Sequence, residues 1–183
     1  MQKVLVVIDM QKDFIDGTLG TKEAVGIVDA VAKRIAESTN EIILFTQDTH
    51  GQDYLQTPEG KKLPVIHCVK NTPGWEIDPK IKLAWRENKS TLIIDELQEN
   101  TFFKPVFGSV DLVEFLQSLQ NKISEIELVG LCTDICVVSN AIMIKNTLPN
   151  IPIRVTASLC AGVTPKSHTE ALNTMKMCQI DVI

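Results

Sequence analysis

No basic stripe and no run of like charge occurs in this sequence. Its 18 Lys and Arg are dispersed among 23 Asp and Glu, for a net charge of −5. Phosphate contacts need clustered cations, so neither nucleic acid nor an anionic membrane is an expected partner. No stretch approaches the ~18 apolar residues of a membrane span. The apolar run after Met1-Gln2-Lys3 is interrupted by Asp9. It is too short for the core of a signal peptide and has no cleavage site, so a cytoplasmic location is expected. Cysteine does not come in pairs: the five are Cys68, Cys132, Cys136, Cys160 and Cys178. An odd count in a reducing compartment argues against a disulfide framework. Most of the five should be buried, inert thiols, leaving one or two for chemistry. Repeats, low-complexity tracts and linkers are also missing. The 183 residues, 44% of them hydrophobic, therefore suit one domain over 1–183 with a full core.

What is present is an alternation of strand and helix. Val4-Leu5-Val6-Val7-Ile8 is a continuous β-branched run, as in a strand buried on both faces. A helix is expected over 22–38, with Val25, Val28, Val31, Ala32 and Ile35 on one face. Strands follow at 42–45, 91–94, 126–129, 153–155 and 180–183. Helices are expected over 111–119, 133–148 and 165–177, the last opened by Pro165. This order predicts a three-layer α/β/α fold with a six-stranded parallel sheet. Ligands of such sheets bind outside the carboxyl ends of the strands.

The polar residues after the strands are therefore the candidates. Asp9 follows the first, Asp48 and His50 the second, Lys104 the third, and Cys132 to Cys136 the fourth. Cys136 falls in the first turn of a helix, where free N–H groups stabilise a thiolate. A nearby Lys104 would lower its pKa further, and Asp9 could relay the thiol proton. The backbone N–H groups of Cys132 and Cys136 could face a substrate oxygen. Each residue has a plainer reading too. Cys136 could be a small core thiol, Asp9 a loop cap and Lys104 a solvated loop lysine. Asp48, His50 and His67 form a possible metal site suited to zinc, iron or manganese. His168, the third histidine, is read as a packing or hydrogen-bonding residue.

Taken together, these residues resemble the isochorismatase-like cysteine hydrolase superfamily, and within it the nicotinamidase branch. The resemblance spans nearly the whole chain. It rests on Val7-Ile8-Asp9-Met10-Gln11-Lys12-Asp13-Phe14, Asp48-x-His50, His67-Cys68-Val69-Lys70-Asn71-Thr72-Pro73-Gly74, Lys104, and Val129-Gly130-Leu131-Cys132-Thr133-Asp134-Ile135-Cys136-Val137. It implies the isochorismatase-like hydrolase fold and a catalytic triad of Asp9, Lys104 and Cys136. It also implies a non-proline cis peptide at Leu131–Cys132, turning the Cys132 N–H toward the oxyanion site. A divalent ion, zinc with iron or manganese as alternatives, would be held by Asp48, His50 and His67. Glu59 of the Pro58-Glu59 pair would be a fourth ligand. One departure stands out: Pro105-Val106-Phe107-Gly108-Ser109 follows Lys104, where relatives have a Tyr or Arg and then Ser-Ala-Phe. Phe14, Trp75 and Phe107 are then the candidates for a substrate wall, or else ordinary core and rim aromatics.

The implied activity is hydrolysis of a small carboxamide, nicotinamide foremost, to nicotinate and ammonia through a Cys thioester. That would be a step of NAD salvage. Two alternatives remain: another amide, carbamoyl or ureide hydrolase of the superfamily, and a non-catalytic binding module on the same fold. The expected partner is a small-molecule amide, and a homo-oligomer is possible.

Overall fold

The computed structural model describes residues 1–88 and 100–183. Its first strand, β1 (Gln2–Ile8), shows why the sequence folds as it does. Val4, Val6 and Ile8 enter one apolar cluster, while Leu5 and Val7 enter another. A strand with apolar side chains on both faces must lie mid-sheet under two layers of helix. Burying each such side chain contributes ~1.5–3 kcal/mol.

The chain continues through a single turn, α1 (Lys12–Ile15), to α2 (Lys22–Ala36), which is capped by the Thr21 side chain accepting from the Ala24 N–H at 3.0 Å. Then come β2 (Glu41–Asp48), the short α3 (Pro58–Lys62) and α4 (Pro79–Glu87). The second half runs β3 (Thr101–Lys104), α5 (Val110–Ser118), β4 (Ile123–Leu131), α6 (Val138–Thr147), β5 (Ile153–Ala161), α7 (Pro165–Met177) and β6 (Asp181–Val182). The strands described are all parallel, in the order β3-β2-β1-β4-β5-β6. Helices α2 and α4 pack on one face through Val31, Ile35, Ile81 and Trp85. Helices α5, α6 and α7 pack on the other through Leu112, Leu116, Ala141, Ile144 and Met175. The three-layer α/β/α fold expected from the sequence is the fold observed. No described helix is long and apolar enough to cross a membrane.

From β1 the chain winds outward to β2 and β3, then returns to β4 on the other side of β1. The carboxyl ends of β1 and β4 therefore flank the switch point, where α/β sheets form ligand crevices. Gly130 makes this junction possible. It pairs with Ile8 at a φ of +115°, and a Cβ there would lie 2.1 Å from the Ile8 carbonyl oxygen.

Several expectations change. Val25 is 52% exposed, so the buried stripe of α2 is Ala24, Ile27, Val28, Val31 and Ile35. The strand expected at 91–94 lies outside the described residues. The edge strand beside β2 is Thr101–Lys104, read from sequence as the connection leading to Lys104. Helix α4, unanticipated, opens on Pro79 with the Asp78 side chain accepting from the Lys80 N–H at 2.8 Å.

Candidate active site

The ladder of β2 and β3 ends on the pair Asp48 and Lys104. A parallel register places two such side chains on the same face, and here both turn inward. Lys104 is 1% exposed, an unusual state for a lysine that only close anionic partners can sustain. Its Nζ lies 2.7 Å from Asp9 Oδ2, 3.2 Å from Asp48 Oδ1 and 3.4 Å from Cys136 Sγ. Asp9 leaves the end of β1 at a φ of 44°, a left-handed turn that aspartate tolerates better than most side chains. Its Oδ1 accepts from the Thr46 hydroxyl at 2.7 Å. Cys136 sits in a wide π-type turn, Thr133–Val137, that leads into α6. The peptide Leu131–Cys132 just before it is cis. Asp9, Lys104 and Cys136, far apart in sequence, are thus brought together in a buried group.

Their electrostatics differ from the sequence reading in one respect. Burial, and then the Asp9 carboxylate, push the Cys136 thiol well above its ordinary pKa, and Lys104 offsets this only in part. Burial and the Asp9 charge thus favour the neutral thiol over the thiolate expected at a helix start. Burial also raises Asp9 above the usual carboxylate value; the Asp48 charge adds to this, and Lys104 and Thr46 oppose it. Burial alone would pull Lys104 down, but Asp9, Cys136 and Asp48 hold it far above a normal lysine, so it stays charged. A neutral thiol beside a carboxylate of raised basicity is an arrangement for proton transfer during attack.

A second group adjoins the first. The ligand atoms of Asp48, His50 and His67 lie within 4.8 Å of one another, and all three residues are buried. Asp48 Oδ2 is 2.8 Å from His50 Nε2 and 3.6 Å from His67 Nε2. Glu59 Oε1 approaches at 3.8 Å and 3.9 Å from the same two nitrogens. The backbone carbonyl of Val65 can only accept, so the His67 Nδ1 at 2.8 Å carries the proton and leaves Nε2 free as a ligand. Two imidazoles and two carboxylates converging in this way fit a zinc, iron or manganese ion. Tyr54 backs the group, its ring 4.6 Å from His50 and 4.9 Å from His67. Gly60 lets α3 press against Tyr54, since a Cβ there would lie 2.1 Å from the Tyr54 carbonyl oxygen; this brings Glu59 to the rim.

A cavity of about 300 Å³ opens over both groups. Cys136, Cys132, Asp48, His67 and Glu59 form its polar side. Phe14, Leu19, Leu63, Phe107, Ile135 and Val163 form its apolar side. Trp75 does not line it: its indole N–H donates to the Thr49 hydroxyl at 2.9 Å and its ring stacks on Phe103. Burial holds the Cys132 thiol up to about 12, and Asp134 and Asp9 add to this.

The family profile of the isochorismatase domain matches residues 3–183. The chain belongs to the isochorismatase family. Among curated proteins, this family member is 27% identical to the nicotinamidase/pyrazinamidase of Mycobacterium tuberculosis, over 99% of this chain and 98% of that one. Among solved structures, the pyrazinamidase/nicotinamidase of Streptococcus mutans matches over the full length of both chains, at 26% identity and a TM-score of 0.80. The pyrazinamidase of Pyrococcus horikoshii, solved in complex with zinc, shares the fold at a TM-score of 0.78 and 22% identity, covering 100% of this chain and 99% of that one. These relatives place the chain in the nicotinamidase branch as an isochorismatase-family amide hydrolase.

Sequence reasoning missed the residues that hold this hydrolase's site in place. Gln11 bridges β1 and β2: its Nε2 donates to the Asp48 carbonyl at 2.8 Å, and its Oε1 accepts from the Asp48 N–H at 2.7 Å. Asp13 accepts from the Cys68 N–H at 2.7 Å, which fixes the backbone beside His67. Buried Asn140 donates to the Cys136 carbonyl at 2.8 Å and the Phe107 carbonyl at 3.2 Å. Apart from the four-residue step between Asn140 and Cys136, these partners lie far apart in the chain, so no local spacing reports them. Presence in the Asp9-to-Phe14 block is the only sequence signal, and it covers Gln11 and Asp13 alone.

Proposed function

We propose that this amide hydrolase cleaves a small heteroaromatic carboxamide, nicotinamide foremost, to the carboxylate and ammonia through a thioester on Cys136. The observation that carries this reading is the buried Lys104 Nζ, 2.7 Å from Asp9 and 3.4 Å from Cys136 Sγ, beside a cavity walled by the Asp48, His50, His67 group.

The substrate carbonyl lies over Cys136 with its ring between Phe14 and Phe107. Sγ attacks the carbonyl carbon as Asp9 takes the thiol proton. The backbone N–H groups of Cys132 and Cys136 hold the resulting oxyanion. Asp9 then gives its proton to the departing amide nitrogen, which leaves as ammonia when the C–N bond breaks. Asp9 next draws a proton from water, whose oxygen attacks the thioester carbon. Breaking the C–S bond releases the acid and returns the proton to sulfur. Lys104 stays charged throughout and offsets the negative charge of Asp9, which passes to the oxyanion and returns in each half of the reaction. A divalent ion held by Asp48, His50, His67 and Glu59, with zinc foremost and iron or manganese as alternatives, would supply a Lewis-acid contact to the substrate's ring nitrogen.

Ammonia release from nicotinamide and pyrazinamide, with and without chelator, tests the proposal. Release from both amides, lowered by chelation and restored by metal, is expected. A metal-loaded protein that ignores both amides but cleaves a ureide would refute it.

A further inference from the structure

The catalytic cavity does not end at its own walls. A second chamber of about 640 Å³ adjoins it, sharing Glu59, Leu63, Phe107 and Ile135. Cys136 lines the inner chamber alone, and Pro105 and Val106 line the outer chamber alone. At about 300 Å³ the inner space stands at the small end of ligand pockets, ~300–1,000 Å³, and suits one ring with its amide. The outer space exceeds anything such a substrate fills.

The mouth of the outer chamber is built. Val106 is 55% and Phe107 46% exposed, two large apolar side chains held side by side at the mouth. Single exposed apolar residues are ordinary, but a contiguous set around a cavity marks a contact surface. The loop carrying them is tied to the nucleophile's turn. Asn140, fully buried, holds the Phe107 carbonyl and the Cys136 carbonyl with one amide group, and its oxygen accepts from the Ser109 N–H at 2.9 Å. Among the described residues, the charged ones on the outer chamber are Asp53, Glu59 and Lys62, with His50 also on its lining. They form no cationic cluster that would select an anionic group.

We infer that, on the proposed amidase reading, this site takes carboxamides that carry a neutral apolar substituent, which the outer chamber holds against Leu63, Val106, Phe107 and Ile135. Unsubstituted amides fill only the inner chamber. The substituent must leave the ring away from both the amide and the ring nitrogen. In nicotinamide only carbon 5 is adjacent to neither.

The test is kcat/KM, by ammonia release from the metal-loaded full chain, for nicotinamide and its 5-methyl and 5-propyl derivatives. A rise of roughly three- to fourfold per buried methylene is expected along the series. Val106→Glu, on an exposed loop position, should lower kcat/KM for 5-propylnicotinamide at least tenfold while changing nicotinamide less than twofold. Turnover of nicotinamide with the 5-propyl derivative poorer than the parent overturns the inference and leaves the proposed function standing. So does a Val106→Glu variant that affects both substrates equally, or one that merely dissociates a dimer with selectivity unchanged, since a second copy would then cover the chamber. Failure of the whole series overturns the proposed function itself. Turnover of the 5-propyl derivative alone upholds the inference and narrows the substrate to the longer amides.

Discussion

Asp48 and Lys104 are register partners at the carboxyl ends of β2 and β3, and their side chains meet at 3.2 Å between Oδ1 and Nζ. The other Asp48 oxygen lies 2.8 Å from His50 Nε2. One carboxylate therefore belongs to both the lysine-centred group and the histidine group. Burial alone would raise its pKa; the His50 hydrogen bond and the Lys104 charge hold it below the usual carboxylate value, so it stays ionised. Asp48→Asn keeps an oxygen for Lys104 but loses the anionic ligand. Zinc affinity should fall at least about 100-fold, measured by competition with a chromophoric chelator. Unchanged affinity would show that Asp48 does not ligate.

Lys104→Met leaves Asp9 and Asp48 buried without their shared cation. Removing one partner of a buried ion pair typically costs about 3–5 kcal/mol. Urea unfolding at neutral pH should show a loss of that order. The loss should shrink as pH falls, because protonating Asp9 removes one of the two repelling charges. A loss independent of pH would contradict the charge argument.

Thr46→Val removes the hydroxyl that donates to Asp9 Oδ1 at 2.7 Å with little change in shape. That hydrogen bond lowers the Asp9 pKa, so its loss raises it further. The acid limb of kcat/KM should move to higher pH while the fold persists. A limb that stays in place would remove Asp9 from the rate-determining proton transfer.

A separate charge network ties the layers far from the site. Burial by itself would raise Glu127, but Arg34, Thr156 and Arg154 overcome this and hold it at about 2. Their contacts are 2.8 Å from Arg34 Nη2, 2.6 Å from Thr156 Oγ1 and 2.8 Å from Arg154 Nη2. A folded pKa below the ordinary 4.5 means stability present above that value and lost as pH falls toward 2. Glu127→Gln should therefore cost about 2 kcal/mol at pH 7 and much less at pH 3, by urea unfolding at both. An equal cost at the two pH values would contradict this.

The residues that follow the strands were legible because a parallel sheet forces them to one rim. Asp9, Asp48 and Cys136 came from that rule and from the family blocks around them, and Lys104 from the family resemblance, since the strand that carries it is a different one from the strand expected. The start of helix α7 was legible because Pro165 opens it; the structure adds the Thr164 cap. Val25 was misread because apolar spacing places a residue on a stripe without telling which edge faces solvent. The strand at Thr101–Lys104 was hidden because four residues, partly exposed at a sheet edge, carry little periodicity. The upward push on the Cys136 thiol was out of reach, since it depends on how completely the fold buries the sulfur. Trp75 sits beside the family block at His67, yet Thr49 and Phe103 hold it out of the cavity wall.

The central claim is that the Cys136 sulfur becomes covalently bonded to the acyl group. Rapid acid quench of the metal-loaded protein during turnover of nicotinamide, followed by peptide mass spectrometry, tests this most directly. The account predicts a nicotinoyl adduct on the peptide containing Cys136, absent from Cys136→Ala, which should also release no ammonia. Ammonia release by Cys136→Ala at the wild-type rate, with no adduct on any cysteine, would contradict it.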